Sequence, residues 1–259
     1  MTSAYNDDPF ANPGEPKRGH CVLHRNVWFK PSDFPANEIT DELFATGVNQ
    51  KALEEICARV KATAIRFKGM TADDLSPLAS LAHLEELDIT WAHKFTDVSP
   101  LQNLRKLKGL TLSDNKRWHD LSQLKDMKIE VLDISGGIWN TDRYETLAPL
   151  ADLPNLRALQ MTNVKVKEGG LRPLERCKKL KELMVSYVFP TEEYAYLSVK
   201  RPDIKCDAFQ PYLQREMFGD KDVMVIGARK PFLSSKKDQE RIKKYVTQFE
   251  ALQDKFRNA

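Results

Sequence analysis

The chain has 259 residues, 41% of them hydrophobic and 30% charged, with a formal net charge of only +3. This length can bury a sizeable core, and no apolar run approaches the roughly 20 residues of a membrane span, which excludes a helical membrane protein. The four cysteines (Cys21, Cys57, Cys177, Cys206) lack paired spacing and no charged-then-apolar segment opens the chain, so a soluble protein of the reducing cytoplasm is expected.

In chain order, residues 1–19, with Asp7, Asp8, Pro9, Pro13, Gly14, Pro16 and Gly19, hold few apolar groups and read as a loose leader. Cys21 to Phe29 is rich in strand formers, and Pro31 and Pro35 end that stretch. A short helical piece closed by Gly47 is expected next. Asn49 then caps a helix whose Leu53, Ile56, Cys57 and Val60 fall at i, i+3, i+4 and i+7. Residues 20–61 are read as an N-terminal cap.

From residue 62 an apolar-x-apolar pair recurs: Ile65/Phe67, Leu87/Ile89, Leu110/Leu112, Leu132/Ile134, Leu159/Met161, Leu183/Val185 and Ile204/Cys206, spaced by 22, 23, 22, 27, 24 and 21 residues. A second register, Leu78, Leu101, Leu124, Leu150 and Leu174, runs with the same period, preceded by proline at Pro77, Pro100, Pro149 and Pro173. In each pair both side chains leave a short strand on one side, so stacked coils make a parallel sheet with the pairs inside. Ser76-Pro77, Ser99-Pro100 and Ser122-Gln123 read as N-cap serines opening short helical turns on the back. One coil cannot bury its own leucines, so both ends need covers. Only Asn115 occupies a position suited to hydrogen-bonding neighbouring turns, and the coil after Leu132 is four or five residues longer, with Trp139, Asn140, Asp142, Arg143 and Tyr144 in the excess.

The repeat stops at Cys206. Asp222 to Ile226 reads as one more strand, and Ser234 or Ser235 as the cap of a long helix with Asp238 in its first turn. Ile242, Tyr245, Val246, Phe249, Leu252 and Phe256 line one side of that helix, as a lid over the last coil requires. The expected domains are therefore a leader at 1–19, an N-terminal cap at 20–61, a solenoid of about seven coils at 62–206 and a C-terminal cap at 207–259.

Leu104, Leu107, Leu110, Leu112, Asn115, Trp118, Leu121 and Leu124 spell L-x-x-L-x-x-L-x-L-x-x-N-x-x-W-x-x-L-x-x-L. This resembles a bacterial leucine-rich repeat, nearest to the internalin-like type of about 22 residues. The resemblance implies an α/β solenoid: an arc or horseshoe with a parallel β-sheet on the concave face and short helical turns on the convex face. It also implies a binding module that takes a protein or peptide on the concave strands, with edge loops adding selectivity.

The residue inside each pair forms an outward ladder, Arg66, Asp88, Thr111, Asp133, Gln160 and Met184. A second ladder follows each pair: Lys68, Thr90, Ser113, Ser135, Thr162 and Ser186. Repeat proteins bind on such faces. Trp118 fills a core slot. Trp91, Trp139 and Tyr144 have none and are either hot-spot anchors or packing over the longer coil. The candidate binding residues are Arg66, Asp88, Thr90, Trp91, Thr111, Ser113, Asp133, Ser135, Trp139, Tyr144, Gln160, Thr162 and Tyr187.

Three further features take plain readings. His20, Cys21 and His24 fall short of a zinc site, which needs three or four ligands. Residues 227–259 hold nine Lys or Arg against four Asp or Glu, and their basic run Lys236, Lys237, Arg241, Lys243 and Lys244 reads as the solvated face of the helix. No G-x-G-x-x-G, P-loop, H-E-x-x-H or G-x-S-x-G occurs, so no enzyme activity, metal or cofactor is expected. A protein or peptide is the expected partner, with no membrane and no nucleic acid. The alternatives are a secreted effector or an enzyme whose activity lies in residues 207–259, or nucleic-acid association through the basic helix.

Overall fold

The computed structural model describes residues 21–24, 27–29, 38–215 and 220–258, with side chains from residue 41 onward. The leader expected over 1–19 lies outside the described residues, as do the side chains of the His20, Cys21 and His24 group. β1 (Cys21–His24) and β2 (Val27–Phe29) form an antiparallel hairpin, and β1 pairs antiparallel with β3 (Glu38–Thr46).

The helical piece expected before Gly47 is thus a strand, for a tertiary reason. After α1 (Gln50–Arg59), β4 (Val60–Lys68) returns parallel to β3 and sets Leu43 and Ala45 opposite Ile65 and Phe67, all four buried. Ladder bonds and core packing over this length override a weak local preference. Asn49 caps α1 as expected, its Oδ1 accepting from the Ala52 N–H at 2.9 Å.

Beyond β4 the coils repeat through β5 (Glu86–Thr90), β6 (Gly109–Ser113) and β7 (Val131–Asp133). The longer coil contributes β8 (Asp142–Thr146), followed by β9 (Ala158–Met161), β10 (Val164–Glu168) and β11 (Glu182–Val185). Nine strands share one sheet in the order β11-β9-β7-β6-β5-β4-β3-β1-β2, the seven from β11 to β3 parallel. β8 and β10 make a small parallel ribbon of their own. Behind the sheet, 3-10 turns at Ser76–Ser80, Ser99–Asn103, Leu121–Leu124, Ala148–Asp152 and Arg172–Arg176 carry Leu78, Leu101, Leu124, Leu150 and Leu174 into the core. This is the leucine-rich repeat architecture.

The serines do not cap these turns. Each is already inside its turn, and the carboxylate two residues earlier accepts its N–H: Asp74 from Ser76 (2.8 Å), Asp97 from Ser99 (2.8 Å) and Asp120 from Ser122 (3.0 Å). Thr146 Oγ1 does the same for Ala148 at 3.2 Å. These side chains mimic a backbone turn and satisfy N–H groups that a short helix leaves open.

Each strand also ends in a fixed way. Gly47, Gly69, Trp91, Asp114 and Gly136 donate their N–H groups to the carbonyls of Lys68, Thr90, Ser113, Ser135 and Thr162, at 2.8–3.1 Å. Gly47, Gly69, Trp91 and Asp114 have φ of +60°, +67°, +61° and +53°, and Asn163 at the next coil has +50°. This left-handed conformation suits glycine and strains tryptophan.

The pair Ile204/Cys206 yields only an isolated bridge between Glu182 and Lys205, because the chain has already turned into α2 (Thr191–Lys200). Arg201 closes the last coil: its guanidinium donates to the carbonyls of Leu180 (2.7 Å) and Cys177 (2.8 Å) and pairs with Asp203. β12 (Tyr212–Gln214), β13 (Val223–Val225) and β14 (Phe232–Leu233) form a separate antiparallel sheet, so the strand expected near Asp222 joins this sheet and not the arc. α3 (Gln239–Arg257) buries Phe249 and Phe256 and packs on α2. Ser234 does not cap it; the bond runs the other way, from the Ser234 N–H to the Asp238 carboxylate at 3.0 Å.

Candidate functional site

In-register pairing arranges the concave face in three columns. The middle column is Phe44, Arg66, Asp88, Thr111, Asp133, Gln160 and Met184, as the strand partners dictate. Beside it run Lys68, Thr90, Ser113, Ser135, Thr162 and Ser186 on the exit side, and Ala64, Glu86, Gly109, Val131, Ala158 and Glu182 on the other.

Several polar atoms on this face are already engaged. Arg66 pairs with Glu42 at 2.9 Å and lies 3.8 Å from Asp88. Thr90 donates to Asp88 at 2.6 Å and shares a hydrogen bond with Ser113 at 3.1 Å. Asp133 accepts from the Ser135 N–H (2.8 Å) and from Gln160 (3.1 Å). Ser135, expected as an exposed rung, is buried, and its hydroxyl accepts from the Thr162 N–H at 3.0 Å. Burial raises the carboxyl pKa of both Asp88 and Asp133, with hydrogen bonds from Thr90 and Ser135 pulling the other way. A cationic partner that approached would favour their ionised forms.

The face deepens towards residues 205–215 into a hollow of about 880 Å³. Thr111, Asp133, Gln160 and Met184 form its floor, while Glu182, Tyr187, Lys205, Asp207 and Arg215 wall it. Met184 is 59% exposed there. Arg215 is braced by Asp207 at 2.9 Å, and burial raises the Tyr187 phenol pKa against a lowering pull from Arg215. Of the wall residues, Asp207 and Arg215 escaped the sequence reading because the chain beyond Cys206 carries no repeat register, whereas Tyr187 was among the candidates. Met184 stood in the ladder but not among the candidate binding residues.

Tyr144, expected among the exposed anchors, is 2% exposed. The strand β8 turns its ring inwards, where it meets Trp118 edge-on at 6.0 Å and donates to the Ile134 carbonyl at 3.3 Å. Trp118 is in the core, as the repeat requires. Trp91 and Trp139 are exposed, 46% and 92%, on the edge where strands end, and the Lys68 ammonium stands 4.6 Å from the Trp91 ring centroid. Arg66, Asp88, Thr90, Thr111, Ser113, Asp133, Gln160 and Thr162 share the concave face, with Tyr187 at its rim.

The longer coil buries an acidic residue. Asp142 accepts from the Asn115 N–H at 3.3 Å, and its carboxyl pKa is raised to about 6, first by burial and then by the nearby Asp114. Asn115 bridges coils as expected, accepting from Ala92 N–H at 3.1 Å and donating to the Ile89 carbonyl at 3.4 Å. Asn163 does a similar task, its side-chain amide donating to the carbonyls of Gly137 at 2.6 Å and Asn140 at 3.1 Å. Among the described residues no three His, Cys, Asp or Glu gather to hold a metal, and no helix is long and apolar enough to cross a membrane.

No protein-family model and no curated protein matches the chain. Solved structures do. An internalin (inlF) of Listeria monocytogenes superposes over 70% of this chain at 23% identity and a TM-score of 0.48, and the match spans half of its length. Internalin C2 (inlC2) of the same organism matches over 63% of this chain and 69% of its own at 20% identity, with a TM-score of 0.44. A leucine-rich repeat protein of Leptospira interrogans matches over 62% of this chain and 52% of its own at 16% identity, with a TM-score of 0.37.

Proposed function

We propose that the chain is a binding scaffold that takes a protein or peptide segment on its concave face, seated in the hollow between β9, β11 and the C-terminal cap. The observation that supports this reading is the composition of the hollow. An exposed thioether and a phenol stand among polar side chains whose positions are fixed by ladder pairing and by partners such as Asp207 for Arg215. Few convergent polar groups around adaptable apolar surface is what a peptide-sized site needs, and methionine adapts its shape to a partner at little cost. With Asp207 paired to Arg215, the carboxylates Asp133 and Glu182 outnumber Lys205 in the hollow, which favours a segment that brings a cationic side chain beside an apolar one.

Selection of a displayed random-peptide library on the full chain tests this. Enriched peptides should combine Lys or Arg with an apolar residue, and the Met184→Glu and Tyr187→Ala variants should lose them while keeping the wild-type circular dichroism. Peptides retained equally by both folded variants would move the site away from the hollow.

A further inference from the structure

The two long edges of the arc differ in charge pairing, although the edge where strands end holds one ion pair of its own, Lys167 with Glu145 at 2.8 Å across the β8–β10 ribbon. At the edge where strands begin, cations meet carboxylates of a neighbouring coil: Lys108 with Glu85 at 2.8 Å, Arg157 with Glu130 at 3.4 Å, and Lys181 with Asp203 at 2.8 Å. At the edge where strands end, Lys94, Lys116, Arg117, Arg143 and Lys165 are exposed, and among the described residues none has a carboxylate within 4.0 Å. Arg143 and Lys165 are direct partners across the β8–β10 ribbon. Like charges directly opposite one another destabilise a sheet, so folding does not explain them.

From the same edge rise Ile138 and Trp139, 86% and 92% exposed. Their loop is held in place. The Gly136 N–H donates to the Thr162 carbonyl at 2.9 Å, and the Asn163 amide donates to the carbonyls of Gly137 (2.6 Å) and Asn140 (3.1 Å). The Asn140 amide in turn donates to Asp114 at 3.1 Å. A braced loop that holds two large apolar side chains in water serves something other than packing.

We propose that this edge docks on the surface of an anionic lipid bilayer. Ile138 and Trp139 enter the boundary between headgroups and acyl chains, and the five cations face the lipid phosphates. The strands end in register, so the edge side chains stand in one row at successive coils. Two observations favour a bilayer over other polyanions. Tryptophan is at home at the membrane interface. Isoleucine gains from entering an apolar phase but has no ring on which a nucleic-acid base would stack. The edge is separate from the concave hollow, so the two proposals fail independently.

Co-sedimentation of the full chain with vesicles tests the proposal, using phosphatidylcholine alone and with about 30% phosphatidylserine at about 0.1 M salt. Binding to the anionic vesicles only is expected, with a blue shift of tryptophan emission that Trp139→Phe removes. The Ile138→Ser, Trp139→Ser double variant, altered at two solvent-facing positions, should bind at least about tenfold more weakly. Each charge removed by Lys116→Gln or Arg117→Gln should weaken binding about fivefold. No binding to anionic vesicles, or equal binding by the folded double variant, would overturn the proposal. A shift by single-stranded DNA without vesicle binding would reassign the edge to nucleic acid, and pull-down of polyglutamate without vesicle binding would reassign it to an acidic protein.

Discussion

Asn163 holds Gly137 across a coil boundary: its side-chain amide donates to the Gly137 carbonyl at 2.6 Å while its own backbone sits at φ +50°. One residue thus combines a left-handed turn with a brace for the loop above it. Asn163→Ala should lose about 2 kcal/mol in urea unfolding, from carbonyls left unpaired and from a strained alanine. Asn163→Gly should recover part of this, since glycine accepts the turn but supplies no amide. Equal losses for the two variants would remove the backbone share of the argument.

Asp142 makes stability depend on pH. Its folded pKa of about 6 lies above the ordinary 3.8, so the folded state keeps the proton longer than the unfolded chain. The contribution is complete below about pH 4 and is lost as pH rises to about 6. Asp142→Asn should therefore match the wild type near pH 4 and exceed it above pH 6, by on the order of 2 kcal/mol once solvent screening is allowed for. Chemical denaturation at several pH values checks this; a constant difference between the two proteins would contradict it.

Trp91 occupies a position that Gly47 and Gly69 fill in the two preceding coils, all three with φ near +60°. Trp91→Gly should leave stability unchanged or raise it by up to about 1 kcal/mol, because the strain relieved offsets the flexibility gained by the unfolded chain. Thermal unfolding reads the result. A clear loss would mean that the contact with Lys68 outweighs the strain.

The turn-starting carboxylates allow a paired comparison. Asp97→Ala should cost about 1 kcal/mol, as the loss of a capping side chain usually does. Ser99→Ala should cost only a few tenths, since its N–H and not its hydroxyl makes the bond with Asp97.

The repeat was readable because its core is periodic and local: Ile65 through Val185 face inwards as their spacing implies, and so does Trp118. What escaped was set by non-local pairing. β3 has only Leu43 and Ala45 as its inward pair, and alanine carries little hydrophobic signal, so the sequence hid a rung that eight ladder partners make plain. Tyr144 was misplaced because the longer coil shifts its register, and only the pairing of β8 with β10 shows which face turns inwards. Asp74, Asp97 and Asp120 recur with the repeat, and weighing them against the serines two residues on would have located the turns. The uncompensated cations of the exit edge carry no local pattern. They become visible only when the coils are stacked.

Stacking in register also makes the arc a graduated rule. Trp91 leaves β5 and the Ile138–Trp139 loop leaves the coil of β7, two rungs on, or about 10 Å along the sheet. Excising residues 92–114 would remove β6 as one graduation and draw these side chains about 5 Å closer, while each remaining coil kept its own leucines. Distances along this edge therefore change in whole steps, by gain or loss of a coil, and a substitution in the core can loosen a mark without moving it.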